Sequence, residues 1–252
     1  MQRLLGWSLL AVLTVTYLLG CNTHAKWTYP LDSAHLHKSV QRQYDLTIAV
    51  MPFREERPSV NRSATLLLYL IPLMPFGWVT YERPEAAQSF ITIKEFDFQL
   101  DEDLGKAAAR SLDQSGIVRR SYFTFGGETR EADYILKGTA KSTRYKGRIL
   151  SYGLSAFGPL LWYIAFPAGT SENLLHIEFL LVDQRGEEHW RFKYEDSESI
   201  VQGLYYNWGN DAVNFAAIME NAMNAGLRNL EENLRILEEK ARNVRKNAKD
   251  FD

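Results

Sequence analysis

The sequence has a single cysteine, Cys21, in 252 residues, so it cannot form a disulfide within the chain. Neither charge is in excess, with 29 basic and 31 acidic residues, which gives the protein no electrostatic reason to bind nucleic acid. The sequence contains no Gly-rich phosphate loop, no G-x-S-x-G elbow and no H-E-x-x-H motif. These absences predict a protein that is not an enzyme and needs no cofactor.

The N-terminus has the pattern of a cleaved signal peptide, residues 1–20. Arg3 precedes the apolar run Leu4–Leu19, which is shorter than the ~20 residues of a transmembrane helix. The run ends in Leu-Leu-Gly-Cys, a sequence that resembles the lipobox of bacterial lipoproteins. Cys21 is therefore predicted to carry the lipid, with palmitate among its acyl chains; an ordinary N-terminal membrane anchor is the alternative. Asn22 favours export to the outer membrane, where the protein would face the periplasm.

Residues 21–43 lack a hydrophobic period and are predicted to form a tether between the lipid and the folded body. The segment contains His24, His35 and His37, but no cluster of cysteines or carboxylates accompanies them. The sequence therefore predicts no metal site.

Residues 44–208 are predicted to form an α/β domain with a mixed sheet and packed helices. The run Leu46–Val50 is almost continuously apolar, which indicates a strand covered on both faces. The domain continues with a helix over 98–114 that Ser115-Gly116 ends, strands over 117–124 and 134–145, and a hairpin over 174–183 and 189–194 with alternating apolar residues.

Two apolar inserts, residues 64–81 and 151–168, do not fit an ordinary soluble domain. They do not alternate like membrane strands, and prolines interrupt them, so neither is predicted to span a bilayer. Three alternatives are open: a buried extra layer, a dip into the bilayer, or a contact with another subunit or protein. Trp78, Trp162 and Phe166 are the candidate contact residues.

Residues 209–252 are predicted to form one long helix. Apolar residues recur at heptad spacing along it, and the flanking residues are charged, which is the pattern of a coiled coil. Either the first half packs on the sheet and the rest is solvated, or the helix pairs with a second copy or a partner. Leu230, Leu234 and Leu237 are the candidate contacts for the second alternative.

The domain resembles a group of envelope proteins: the curli-secretion lipoproteins, the N-terminal domain of TolB and lipoprotein activators of penicillin-binding proteins. The resemblance is carried by an AV-x-PF strand (Ala49 to Phe53), an AD-x-(I/L)-x-G segment (Ala132 to Gly138) and a hairpin with Asp183, Gly186 and Trp190. It implies a TolB-like α/β sandwich and a non-catalytic role in envelope assembly, secretion or regulation.

The leading hypothesis is a lipid-anchored scaffold or adaptor that binds envelope proteins or a second copy of itself. The alternatives are an oligomeric outer-membrane secretion component whose inserts enter the bilayer, and a module that binds lipid or peptidoglycan.

Overall fold

The computed structural model describes residues 26–28, 36–39, 43–62, 64–83, 95–97, 99–208, 210 and 213–249. Side chains are described over the same ranges except 26–28, 61, 64–66, 95–97, 213–214 and 237–249. The predicted signal peptide, Cys21 and most of the predicted tether therefore lie outside the described residues.

Eleven strands and three helices are formed by the described residues. The strands are β1 (Lys26–Thr28), β2 (Tyr44–Val50), β3 (Arg54–Glu55), β4 (Asn61–Arg62), β5 (Phe76–Tyr81), β6 (Glu95–Asp97), β7 (Val118–Phe123), β8 (Tyr134–Ser142), β9 (Tyr145–Leu150), β10 (Gly169–Val182) and β11 (Glu188–Gln202). The helices are α1 (Leu100–Ser115), the single turn α2 (Pro159–Trp162) and α3 (Val213–Lys249), and 3-10 turns cover Ala64–Leu70, Thr129–Glu131 and Ser155–Phe157.

The main sheet is mixed and curled, which confirms the predicted α/β class. Within the described part of the chain it has nine strands, in the order β4-β5-β9-β10-β8-β2-β7, with β11 paired to β10 and β3 paired to β8. Strand β2 runs parallel to β7 and β8, whereas β10 is antiparallel to β8, β9 and β11. Strands β1 and β6 form a separate parallel pair.

Strand β2 occupies the position that its composition predicts. Its last four residues, Thr47 to Val50, are all buried, and β7 and β8 pair with the two edges of the strand. The ladder stops before Pro52, whose ring nitrogen has no hydrogen to donate.

Helix α1 also follows the prediction to within two residues at each end. Leu100, Leu104, Ala108 and Leu112 form one buried stripe. Acidic residues occupy the first turn, where their negative charge interacts favourably with the helix dipole. Gly116 ends the helix in the left-handed region at φ 72°.

The predicted hairpin is present and is longer than expected. Leu181 faces Trp190, Phe179 faces Phe192 and Ile177 faces Tyr194, so the apolar residues of both strands share the inner face. The predicted strand over 134–145 is interrupted at Thr143 and Arg144, where β8 ends and β9 begins. Both strands run antiparallel to β10 and follow one another along the same side of it, so the chain continues in one direction.

Helices α1 and α3 cover the inner face of the sheet and enclose the core. The first half of the terminal helix packs on the sheet, as one of the two alternatives proposed. Its buried side chains are Phe215, Ala216, Ile218, Met219, Ala222, Met223, Leu227, Leu230 and Leu234. The indole Nε1 of Trp190 donates to Asn229 Oδ1 at 2.8 Å, and Gly226 lies against the ring of Phe192, so the helix runs antiparallel to β11.

Two of the motifs behind the family resemblance meet inside this core. The ring of Phe53 lies over Gly138, where an added Cβ would come within 2.3 Å of the ring atoms, and it packs edge-on against Phe179 at 5.7 Å. The carboxylate of Asp133 accepts the backbone N–H of Thr47 at 2.7 Å. These residues therefore hold β2, β3 and β8 together and serve the fold.

The contact between Phe53 and Gly138 predicts that Gly138→Ala destabilises the protein. The added methyl must displace the aromatic ring in a packed core, which costs about 1–3 kcal/mol of unfolding free energy. Urea denaturation followed by tryptophan fluorescence measures this loss. Gly127→Ala is the matched control, since nothing lies within 4 Å of its added Cβ; equal stability of both variants would contradict the packing argument.

Candidate functional site

Four strands of the main sheet begin or end at the same edge, and both apolar inserts lie there. Phe76 at the start of β5 pairs with Leu150 at the end of β9. Gly169 at the start of β10 pairs with Ile149 on one side and with Gln202 at the end of β11 on the other. The sheet therefore brings the two inserts together although 70 or more residues separate them in the sequence.

Hydrogen bonds join the two inserts into one structure. The backbone N–H of Leu73 donates to Gly153 O at 3.0 Å, and the N–H of Ser151 donates to Pro75 O at 2.9 Å. The Ser151 hydroxyl donates to Met74 O at 2.6 Å, and the Ser155 hydroxyl donates to Leu70 O. We call residues 67–75 and 152–167 the apolar tip.

A third segment, which the sequence analysis missed, supports the tip. The chain leaving β11 at Gln202 accepts the backbone N–H of Ala168 at 2.7 Å. Tyr205, which is 67% exposed, donates its hydroxyl to Tyr163 O at 3.0 Å. The aromatic cluster at 205–206 was the available signal, but nothing in the sequence placed it beside the inserts.

The tip exposes an unusual concentration of large apolar side chains. Of the sixteen exposed large hydrophobic residues within the described ranges, ten lie in the tip. Surface apolar residues are normally scattered, so a contiguous group of this kind marks a surface that another molecule covers. The members are Leu67, Leu70, Ile71, Leu73, Leu154, Phe157, Leu160, Tyr163, Ile164 and Phe166.

Backbone strain is concentrated in the same place. Five non-glycine residues within the described ranges have positive φ, and four of them lie in the tip. These are Leu73 at 69°, Tyr152 at 56°, Ser155 at 53° and Ala165 at 70°. The left-handed conformation disfavours residues with a Cβ, and such strain collects at functional surfaces.

The three predicted contact residues of the inserts differ in position and in exposure. Trp78 lies on β5 beside the tip at 36% exposure, with its ring edge-on to Phe76 at 6.0 Å. Phe166 is 45% exposed and packs edge-on against Tyr152 at 5.6 Å. Trp162 is half-buried and donates its Nε1 to Leu150 O at 3.0 Å, so this residue also fixes the tip to the sheet.

A group of aromatic and basic residues on β5 and β9, which we call the collar, lies beside the base of the tip. A shallow cavity of about 260 Å³ is lined by aromatic and basic side chains, among them Phe76, Trp78, Lys146 and Arg148. The guanidinium of Arg148 lies 5.4 Å from the centre of the Phe76 ring. Charge therefore returns four residues before the second tip segment, at Arg148.

The candidate contacts on the terminal helix require a correction. Leu230 is 2% exposed and Leu234 is 5% exposed, because both pack into the core of the chain itself. They are not available to a partner. The side chain of Leu237 lies outside the described residues.

The outer face of the sheet is solvated and carries ion pairs. Glu178 binds Lys141 at 2.8 Å and Lys193 at 3.0 Å. Hydrogen bonds from these two ammonium groups lower the pKa of Glu178 to about 2.

One group of potential metal ligands, Asp183, Glu187 and His189, lies at the hairpin turn. Asp183 Oδ1 accepts the backbone N–H groups of Arg185 and Glu187, both at 2.8 Å. The carboxylate therefore caps the turn, a role that needs no metal.

Comparisons with known proteins leave the family open. No family model matches the chain, and no curated protein matches it. A dodecamer of PelC from Paraburkholderia phytofirmans matches with 14% identity and a TM-score of 0.34, over 71% of this chain and 90% of that one. Lipoprotein GNA1162 from Neisseria meningitidis matches with 15% identity and a TM-score of 0.27, over 71% of this chain and 99% of that one. These scores are too low to support an argument on function.

No helix in the part of the chain that the structure describes combines the length and the apolar character needed to cross a membrane. The resemblance to the curli-secretion and TolB group stays a prediction.

The strained, exposed Leu73 predicts an unusual mutational result. Leu73 is 88% exposed with φ at 69°, and asparagine accepts this conformation better than leucine. Leu73→Asn should leave the unfolding free energy unchanged or raise it by up to about 1 kcal/mol, while binding of the dye ANS to the tip falls. Leu70→Asn, at a position with ordinary φ, should reduce dye binding without a gain in stability. A clear loss of stability in Leu73→Asn alone would show that Leu73 serves packing.

The ion pairs of Glu178 predict a pH dependence of stability. Because the folded state lowers this pKa to about 2, the ionised carboxylate stabilises the fold above its unfolded pKa of about 4.3. That contribution is lost as the pH falls from about 4.3 towards 2. Glu178→Gln should therefore be less stable than the natural chain at pH 7 and should lose less stability on acidification. Urea denaturation at several pH values tests this, with exposed Glu232→Gln as the control; parallel pH profiles for Glu178→Gln and the natural chain would refute it.

Proposed function

We propose that this protein is a lipid-anchored scaffold or adaptor of the bacterial envelope that acts without catalysis. The observation that carries the proposal is the exposed apolar tip. The N-terminal segment of the same chain contains the lipobox that ends at Cys21. An apolar surface of this kind has no catalytic use by itself, because it offers no nucleophile, base or cation. It is suited to holding the protein against another surface.

The lipobox supports the location. Acylation of Cys21 would attach the chain to a membrane, and each buried methylene of the lipid adds roughly 0.8 kcal/mol to the binding. Asn22 favours the outer membrane, with the body in the periplasm.

Two other surfaces support the role of a scaffold. Strand β11 is fifteen residues long, and within the described ranges it pairs with β10 alone. An unpaired strand edge can accept an extended segment of a partner through backbone hydrogen bonds. Helix α3 continues to Lys249, and Leu234 is the last buried residue among its described side chains. Residues 238–249 are rich in charged residues in the sequence, which suits contact with a polar partner.

The free edge of β11 also favours the second candidate, an oligomeric secretion component of the outer membrane. The same edge could pair with another copy of the chain and so close a ring. Charged side chains along β11, such as Lys193 and Glu195, oppose this pairing unless the opposite strand complements them. For this reason we place the scaffold first.

Lipidation and partner binding can be tested in one set of strains. Cells that produce the full chain should incorporate labelled palmitate, and the Cys21→Ser variant should not. A photoreactive phenylalanine analogue placed at Glu195 on β11, or at Ile236 on α3, should form covalent adducts with a second protein. The same analogue at Phe125, on the turn after β7, is the control and should form none. Adducts with the chain itself would favour the oligomer, and the absence of any adduct would overturn both candidates.

A further inference from the structure

We propose that the apolar tip inserts into the acyl-chain region of the bilayer that holds the lipid of Cys21. The inference rests on the proposed lipid anchor and names the partner of the tip. The body would then contact the membrane at two points, the covalent lipid and the tip.

The first argument is the absence of charge. Residues 67–75 and 152–167 contain no Asp, Glu, Lys or Arg. A surface that binds another protein commonly uses arginine as an anchor within the contact itself. A surface that enters hydrocarbon must exclude charge, because a charged side chain there costs several kcal/mol.

The second argument is that the tip satisfies its own backbone. Most of its N–H groups donate to carbonyls of neighbouring turns, for example Phe157 to Leu154 O at 3.1 Å and Ile164 to Leu161 O at 3.1 Å. Pro72, Pro75, Pro159 and Pro167 have no N–H to satisfy. A protein partner or water could satisfy free groups, whereas hydrocarbon cannot, so internal satisfaction is a requirement specific to a lipid environment.

Polar side chains of the second insert also form their hydrogen bonds within the protein. The hydroxyl of Tyr152 donates to Pro167 O at 2.6 Å. Ser151, Ser155 and Trp162 likewise donate to backbone carbonyls of the inserts or the adjacent strand. The polar atoms of these four side chains thus face inwards, and the large exposed side chains of the tip are those of Leu, Ile and Phe together with Tyr163.

The third argument is the collar, which has the composition of a membrane interface. Trp78 pairs in register with Arg148 on the neighbouring strand. Two residues further along β9, Lys146 forms an ion pair with Glu172 on β10 at 3.4 Å. Tryptophan is enriched at the level of lipid headgroups, and arginine there can reach the phosphates. The change from apolar tip to charged sheet therefore sets the depth of insertion.

The fourth argument is reach. His37 donates its N–H to Asn224 Oδ1 at 2.8 Å, which joins the N-terminal segment to α3. Asn224 lies about 17 Å along α3 from Val213, the first residue of the helix. The sixteen residues from Cys21 to Leu36, which include the extended strand β1, span at most about 50 Å. The lipid and the tip can therefore occupy the same bilayer.

Vesicle binding tests the inference with the full mature chain carrying Cys21→Ser. We expect it to sediment with vesicles of phosphatidylethanolamine and phosphatidylglycerol, and to stay bound in high salt. Replacing Phe157 and Ile164 by serine should weaken binding about tenfold or more, because two exposed apolar side chains are lost. The matched control replaces Phe125 and Val60 by serine, which are 69% and 56% exposed against 70% and 65% for the test pair. Arg148→Gln should weaken binding to anionic vesicles by about fivefold.

Brominated lipids provide an independent measurement. Bromine on the acyl chains should quench the fluorescence of Trp78 and Trp162, as judged by the loss of quenching in Trp78→Phe and Trp162→Phe. Buried Trp190 should not be quenched.

Absence of vesicle binding, or equal loss in the test and control pairs, would overturn the inference. Self-association in solution that the test pair abolishes would also overturn it and would assign the tip to a contact between copies. A different result would refute the proposed function. If palmitate labelling of Cys21 succeeds while vesicle binding fails, the scaffold stands and the bilayer contact does not. If palmitate labelling of Cys21 fails, the proposed lipid anchor is refuted, independently of the result of the vesicle-binding experiment.

Discussion

The pairing of β10 is the interaction on which the rest of the structure depends. This strand of fourteen residues pairs with β11 along its length, with β9 over its first five residues and with β8 over its last seven. Its inner side chains, Leu175, Ile177, Phe179 and Leu181, are buried against the helices. The same pairing aligns the ends of β5, β9 and β11 at Gly169, so the sheet both forms the core and assembles the apolar tip at its edge.

The exposed side chains and the backbone conformation of the tip do not contribute to the stability of the fold. Exposed leucine and phenylalanine side chains gain nothing from the fold, and non-glycine residues in the left-handed region cost free energy. The hydrogen bonds between the inserts and the strand ends below them hold this conformation in place. Local violations of this kind are expected where a surface has a role outside the fold.

The sequence motifs and the candidate site belong to different parts of the molecule. Phe53, Asp133 and Gly138 carry the resemblance to envelope proteins, and each has a packing or backbone role within the sheet. These residues are therefore evidence for the fold and carry no information on the function. The features on which the proposed function depends, namely the tip, the collar and the free edge of β11, lie in segments outside those motifs.

Much of the fold could be predicted from the sequence, because short-range patterns encode it. Continuous apolar character predicts β2, the i, i+4 stripe predicts α1 with its stop at Gly116, and alternation predicts the inner face of the β10–β11 hairpin. The pattern did not indicate the interruption at Thr143 and Arg144 or the continuation of the chain as β9, because no Gly or Pro marks this irregularity in the sequence. The length of β11 was also missed, because residues 195–199 are almost all polar and their pairing with β10 is the only feature that identifies a strand.

The sequence by itself identified the lipobox, the two apolar inserts and the absence of known catalytic motifs. Only the tertiary structure decided that the inserts form one exposed tip and that Leu230 and Leu234 are buried against the sheet. The reason is physical: a sequence records which side chains are apolar, but their burial depends on what the rest of the chain brings alongside. Helix α3 has a sheet face to cover its apolar stripe, whereas the inserts extend past the end of the strands, where the described chain provides no second layer to cover them.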